Sequence, residues 1–162
     1  MQFLPADLII VHGHSFVDLL IEDISKSKYS HVAGIVNDAQ IIEAEGFKKI
    51  SYAPLSKYLN QNCDLFTCNI LTSQQRNDIV KYVTNQLDCR YDYLLLLWEM
   101  VRFEFHCQFP YVEHKKFICS TLWADAYRSV GVDLTPTLRY PSPGELAQSK
   151  LLRKVCTLST PN

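Results

Sequence analysis

Phe117-Ile118-Cys119-Ser120-Thr121-Leu122-Trp123-Ala124-Asp125-Ala126-Tyr127 is the stretch on which the reading of the chain turns. Two apolar residues run into a cysteine followed by two hydroxyl residues, and Leu122, Trp123, Ala126 and Tyr127 then recur at helical spacing. Ser120 and Thr121 suit a helix start and Gly131 its stop. Cys119 is therefore expected at or within the first turn of a buried helix. There the helix dipole and the free N–H groups favour a thiolate over a thiol, and the thiolate is the nucleophile. The competing reading is a small apolar residue tucked into the core, where free cysteine is common.

Working outward, the chain has 162 residues, 48 % of them hydrophobic, enough for one domain over residues 1–162 with a core of its own. Sixteen basic and 17 acidic residues give a formal charge of −1, so nucleic acid is not expected as a partner. The six cysteines, at 63, 68, 89, 107, 119 and 156, form no tight pair. The first residues lack a basic region followed by a long apolar run, so a cytoplasmic, reducing setting and free thiols are expected. The apolar run Tyr93 to Val101 is far shorter than the ~18–20 residues that cross a bilayer. It reads as part of a buried helix from about Tyr93 to Phe105, and no membrane span is expected.

Asp7 to Val11 reads as a strand broken by His12-Gly13-His14-Ser15, and Ser15 can cap a helix carrying Phe16, Leu19, Leu20 and Ile24. Ser30 to Val36 and Gln40 to Ala44 read as strands joined by an Asn37-Asp38 turn. Phe47 to Tyr52 suggests a short fourth strand, Pro54 a break, and Leu55 to Leu59 one or two helical turns. Asp64 to Ile70 reads as a strand, and Thr72 caps a helix through Ile79, Val80, Val83 and Leu87. Leu87 to Tyr93 and His106 to Lys116 read as irregular. Ser142-Pro143-Gly144-Glu145 has the form of a helix start, and Leu151 to Leu158 of a last strand. Short antiparallel strands first and helices mostly later predict an α+β domain, an antiparallel sheet packed against helices.

A cysteine nucleophile needs a base, and the base an orienter. His31, at the opening of a strand, is the candidate base; its alternative is a satisfied, partly buried imidazole. Glu43, on the strand expected to pair with that of His31, is the candidate orienter, with Glu45 on the same face as the competing choice. An anionic partner raises the imidazole pKa and favours a thiolate–imidazolium pair. The adjacent His106 and Cys107 point in different directions and cannot readily pair. Cys107, His106, His114 and Cys119 fit no common zinc spacing, so no metal is expected. His14, near the expected cleft, is a candidate to contact substrate; its alternative is an exposed loop histidine. No phosphate loop, metalloprotease helix or dinucleotide fingerprint is present, and no cofactor is expected.

These pieces together resemble the circularly permuted branch of the NlpC-type papain-like cysteine hydrolases, the YiiX-like proteins. The resemblance is carried, in order, by Leu4 to Val11, by Lys28-Tyr29-Ser30-His31-Val32-Ala33-Gly34-Ile35-Val36, and by Ile41-Ile42-Glu43-Ala44. It continues through the Tyr91-Asp92 loop, Phe117-Ile118-Cys119-Ser120-Thr121-Leu122-Trp123 and Ser142-Pro143-Gly144-Glu145-Leu146. The resemblance implies a papain-like fold with circularly permuted topology, in which histidine precedes cysteine in the chain. It implies Cys119 as nucleophile, His31 as base, Glu43 as orienter and Tyr91 at the substrate site. The chain departs from the family at Ala6, where glycine is usual, and at Thr121, where an acidic residue is common. The implied activity is a peptidase or amidase, on a peptide or a peptidoglycan fragment. The alternatives are an acyl hydrolase or acyltransferase on a lipid-like substrate, related to lecithin:retinol acyltransferase, and a non-catalytic binding module.

Overall fold

The computed structural model describes residues 3–13, 27–44, 48–91, 116–117 and 119–158. The helices expected after Ser15 and from Tyr93 to Phe105 lie outside these residues, as do His14, Glu45, His106, Cys107 and His114. In chain order the elements are β1 (Leu8–His12), β2 (Tyr29–Ile35), β3 (Gln40–Glu43), β4 (Ser51–Pro54), α1 (Ser56–Leu59) and β5 (Cys63–Thr67). There follow α2 (Ser73–Thr84), β6 (Arg90–Tyr91), β7 (Lys116–Phe117), α3 (Cys119–Arg128), α4 (Pro143–Ala147) and β8 (Arg153–Leu158). The expected α+β class holds among the described residues: six strands form one antiparallel sheet in the order β4-β3-β2-β1-β5-β8. No helix among them is long and apolar enough to cross a membrane.

β1 lies inside the sheet, and its Leu-Ile-Ile-Val run is buried on both faces, as a continuous apolar strand should be. Leu8 and Ile10 join Val32, Ile42 and Phe66 beneath α2 and α3, while Ile9 and Val11 join Ala33, Ile35, Ile41 and Leu65 on the opposite face. The period-two alternation of strands thus splits the core into two layers.

α3 packs across β2, and the contact is close because residue 34 is glycine. A Cβ there would lie closer than 3.0 Å to the indole ring of Trp123, which is fully buried. Gly131, with φ 80°, ends the helix: its N–H reaches the Arg128 carbonyl at 2.9 Å, and the Val132 N–H returns to Tyr127 at 3.1 Å. The Tyr127 hydroxyl donates to the Ala6 carbonyl at 2.6 Å, tying α3 to the lead-in of β1. Ala6 itself has φ 65°, a left-handed conformation that glycine adopts freely and alanine does not. The same lead-in carries a buried ionic knot. Arg76 of α2 donates to Asp7 at 2.9 Å, to Thr67 at 3.1 Å and to the carbonyls of Pro5 and Cys68.

Three elements differ from the sequence reading. The fourth strand is Ser51–Pro54 rather than Phe47 to Tyr52. Pro54 closes this strand instead of standing after it, because among the described residues β4 is the sheet edge, where proline's missing N–H costs no ladder bond. Leu87 to Tyr93 is not wholly irregular: Arg90–Tyr91 pairs in parallel with Lys116–Phe117. That bridge brings the segment just before α3 alongside a distant part of the chain. Both Thr72 and Ser142 cap their helices through full capping boxes with Gln75 and Glu145, as expected.

Candidate functional site

The site forms where β2 outruns its partner. β3 pairs with β2 only from Ile35↔Ile41 to Ala33↔Glu43, so the first four residues of β2 have no β3 neighbour. The Ile35 N–H points to β1, where it meets the Asp7 carbonyl at 2.8 Å. Alternation then turns the Val32 N–H to the opposite, unpaired side. The β1–β2 register also skips Ser30, passing from Val11↔His31 to His12↔Tyr29. This bulge puts Tyr29 in the layer under the helices and His31 on the other face, a typical use of an extra residue beside a functional site.

Cys119 opens α3 at this gap and is 5 % exposed. His31 and the backbone N–H groups of Val32 and Ser120 lie beside its sulfur and favour its charged form. Burial opposes its ionisation, but His31 and these donors outweigh burial and hold the thiol below its ordinary pKa. The other described cysteines with a resolved shift go the opposite way. Burial pushes Cys63 up to about 12 and also raises Cys68 and Cys156.

His31 donates through Nε2 to Glu43 Oε2 at 3.1 Å, which leaves Nδ1 as the ring nitrogen available to Cys119. Burial works against a charged imidazole. The Cys119 thiolate and the Glu43 carboxylate overcome it and raise the imidazolium pKa to about 10. Glu43 is almost wholly buried at the end of β3. Burial alone would raise its pKa, yet hydrogen bonds from His31, Lys57 and Tyr58 lower it to about 2. The three shifts together favour a thiolate, an imidazolium and a carboxylate in a row.

His31, Glu43 and Cys119 are brought together. Tyr91 lies in β6, paired with Phe117 two residues before the cysteine. His14 and Glu45 lie outside the described residues, so among the described carboxylates Glu43 is the one bonded to His31. Lys57 and Tyr58 are at the site and were not singled out by the sequence. Lys57 Nζ is 2.6 Å from Glu43 Oε1, and the Tyr58 hydroxyl donates to Oε2. A second histidine–carboxylate pair, His12 and Asp64 at 3.2 Å, is knitted to Tyr29, Thr157 and Lys154. The fully buried Asp64 is saturated by these partners and ties β1, β2, β5 and β8 together. Among the described residues no three His, Cys, Asp or Glu side chains gather so as to hold a metal ion.

No family model and no curated protein matches the sequence. The fold is similar to the crystal structure of the metalloprotein yiiX from Escherichia coli O157:H7. The TM-score is 0.73, covering 97 % of this chain and 98 % of that chain, at 14 % sequence identity. The two proteins therefore share a fold, an α+β arrangement that here carries its cysteine, histidine and glutamate at one break in the sheet.

Proposed function

We propose that the protein is a cysteine hydrolase acting on an amide bond, on a single permuted papain-like domain. Cys119 is the nucleophile, His31 the general base and acid, and Glu43 the orienter. The observation that carries this reading is the row Cys119–His31–Glu43, in which His31 is hydrogen-bonded to Glu43, the thiol is driven down and the imidazole up. The resemblance of the surrounding segments to the permuted hydrolases, and the fold shared with yiiX, support it.

In the proposed reaction the Cys119 thiolate attacks the substrate carbonyl carbon, and the carbon–oxygen double bond opens to an oxyanion. The N–H of Cys119, at the start of α3, is a donor for that oxygen. As the tetrahedral intermediate collapses, the imidazolium of His31 gives its proton to the departing amine and the carbon–nitrogen bond breaks. The product is a thioester on Cys119. His31, now neutral, takes a proton from water, which attacks the thioester and releases the acid. Glu43 stabilises the imidazolium and holds the ring in the one orientation that serves both steps.

Peptides, including cell-wall peptides, are the substrate class proposed first. The acyl-lipid alternative rests on the related lecithin:retinol acyltransferase branch and on the apolar stretch Leu94 to Trp98, which lies outside the described residues. The test is to trap the thioester. Wild-type protein is mixed with an activated acyl ester, a panel of peptide amides, peptidoglycan fragments and phospholipid vesicles, quenched in acid and weighed intact. The reading predicts an acyl adduct on Cys119 that is absent from Cys119→Ala and does not accumulate in His31→Ala. Absence of an adduct with every acyl donor would overturn it, and peptide-derived against lipid-derived adducts separate the two substrate classes.

A further inference from the structure

Glu43 can orient His31 only if its own carboxylate is held. A glutamate side chain turns about three bonds, and Glu43 sits at the last residue of a four-residue strand. The neighbouring turn supplies what the strand lacks. β4 ends at Pro54, the Leu55 N–H is pinned to the Ala39 carbonyl at 2.9 Å, and α1 then carries two successive side chains back over the face of the sheet. Lys57 takes Oε1 at 2.6 Å, while the Tyr58 hydroxyl joins His31 on Oε2. The Tyr58 ring is 2 % exposed and stacks on the imidazole, with centroids 6.4 Å apart and planes 23° from parallel. Lys57 Nζ lies 5.2 Å over the same ring.

We infer that Lys57 and Tyr58 are positioning residues: together they clamp the two oxygens of Glu43 so that Oε2 stays on His31, and Tyr58 also braces the imidazole. The inference rests on the proposed roles of Cys119, His31 and Glu43. Among the described residues, the charged and titratable groups facing His31 are Cys119 from α3, Glu43 from β3, and Lys57 and Tyr58 from α1.

A clamp and a bare charge make opposite predictions for Lys57. A cation near an imidazolium disfavours it, so removing the charge alone raises the pH at which His31 loses its proton. Loss of the clamp lets Glu43 turn away and lowers that pH. The experiment follows the His31 imidazole by NMR in 15N-histidine-labelled protein from pH 5 to 11. Wild type, Lys57→Met, Lys57→Arg and Tyr58→Phe are compared, with His31 assigned through His31→Ala. Circular dichroism and urea midpoints check that each variant is folded; Tyr58→Phe keeps the ring, and Lys57 is partly exposed.

The clamp predicts that Lys57→Met and Tyr58→Phe each move the His31 midpoint down by about one pH unit, a tenfold change in its ionisation constant. Lys57→Arg should restore most of the shift. If the wild-type midpoint is high and both variants leave it unchanged or raise it, the clamp is wrong and the hydrolase reading stands. A wild-type midpoint near the ordinary value of 6.5 overturns the clamp and the reading together.

Discussion

Replacing Gly34 by alanine tests the packing that sets Cys119 against β2. The new methyl group would stand closer than 3.0 Å to three atoms of the Trp123 benzo ring. Trp123 is fully buried, so its ring has no path into solvent, and Gly34 is fixed by strands on both sides through its pairs with Leu8 and Ile42. Overpacking a tight core costs about 1–3 kcal/mol, and a rigid ring trapped between a central strand and a helix belongs at the upper end, about 3 kcal/mol. With a slope of about 1.5 kcal/mol per molar, the urea midpoint should fall by roughly 2 M. The double variant Gly34→Ala/Trp123→Phe removes part of the obstructing ring. The alanine should therefore cost about 1–2 kcal/mol less in that background than alone. Because Trp123 and Cys119 share α3, Gly34→Ala should also slow alkylation of Cys119. A fall of less than about 0.5 M, or strictly additive costs in the double variant, would refute the reasoning.

Three further outcomes follow from the same contacts. Ala6→Gly relieves a left-handed alanine worth about 1 kcal/mol, offset by the freer unfolded chain. Its urea midpoint should stay at or above that of wild type, whereas a loss greater than about 1 kcal/mol would contradict the strain seen at φ 65°. Arg76→Met leaves the buried Asp7 carboxylate without its cation and should cost about 3–5 kcal/mol by urea denaturation. The folded-state pKa of Glu43, about 2, lies below its ordinary 4.5, so its stabilisation is full above about 4.5 and is lost as pH falls towards about 2. Wild type should therefore lose about 3 kcal/mol more than Glu43→Gln across that window, and parallel pH profiles would count against it.

The elements that could be read from the sequence are those whose signal is local. The capping residues Thr72 and Ser142, the apolar runs of β1 and β2, and the helical spacing after Cys119 all depend on neighbours within a few positions. His31 and Glu43 were approachable because one short turn, Asn37-Asp38, fixes which strands pair, and alternation then fixes which residues share a face. Other features depend on register between distant segments. The Ser30 bulge that separates Tyr29 from His31 has no composition signal. The two-residue pairing of β6 with β7 is too short to leave a pattern. Lys57 and Tyr58 fall in a stretch that reads only as one or two helical turns, since only the pairing of Glu43 with Ser51 shows that the chain doubles back over the carboxylate. A lysine and a tyrosine closely following a strand that pairs with a buried glutamate were the available hint.

The proposed chemistry rests on one ion pair, and the most direct measurement is the pH dependence of alkylation at each of the six cysteines, followed by peptide mass mapping in wild type and His31→Ala. A thiolate held by His31 predicts that at pH 6 Cys119 reacts at least about tenfold faster than the other five, and that the advantage disappears when His31 is removed. Cys119 reacting no faster than its fellows, or equally fast without His31, would contradict the central claim.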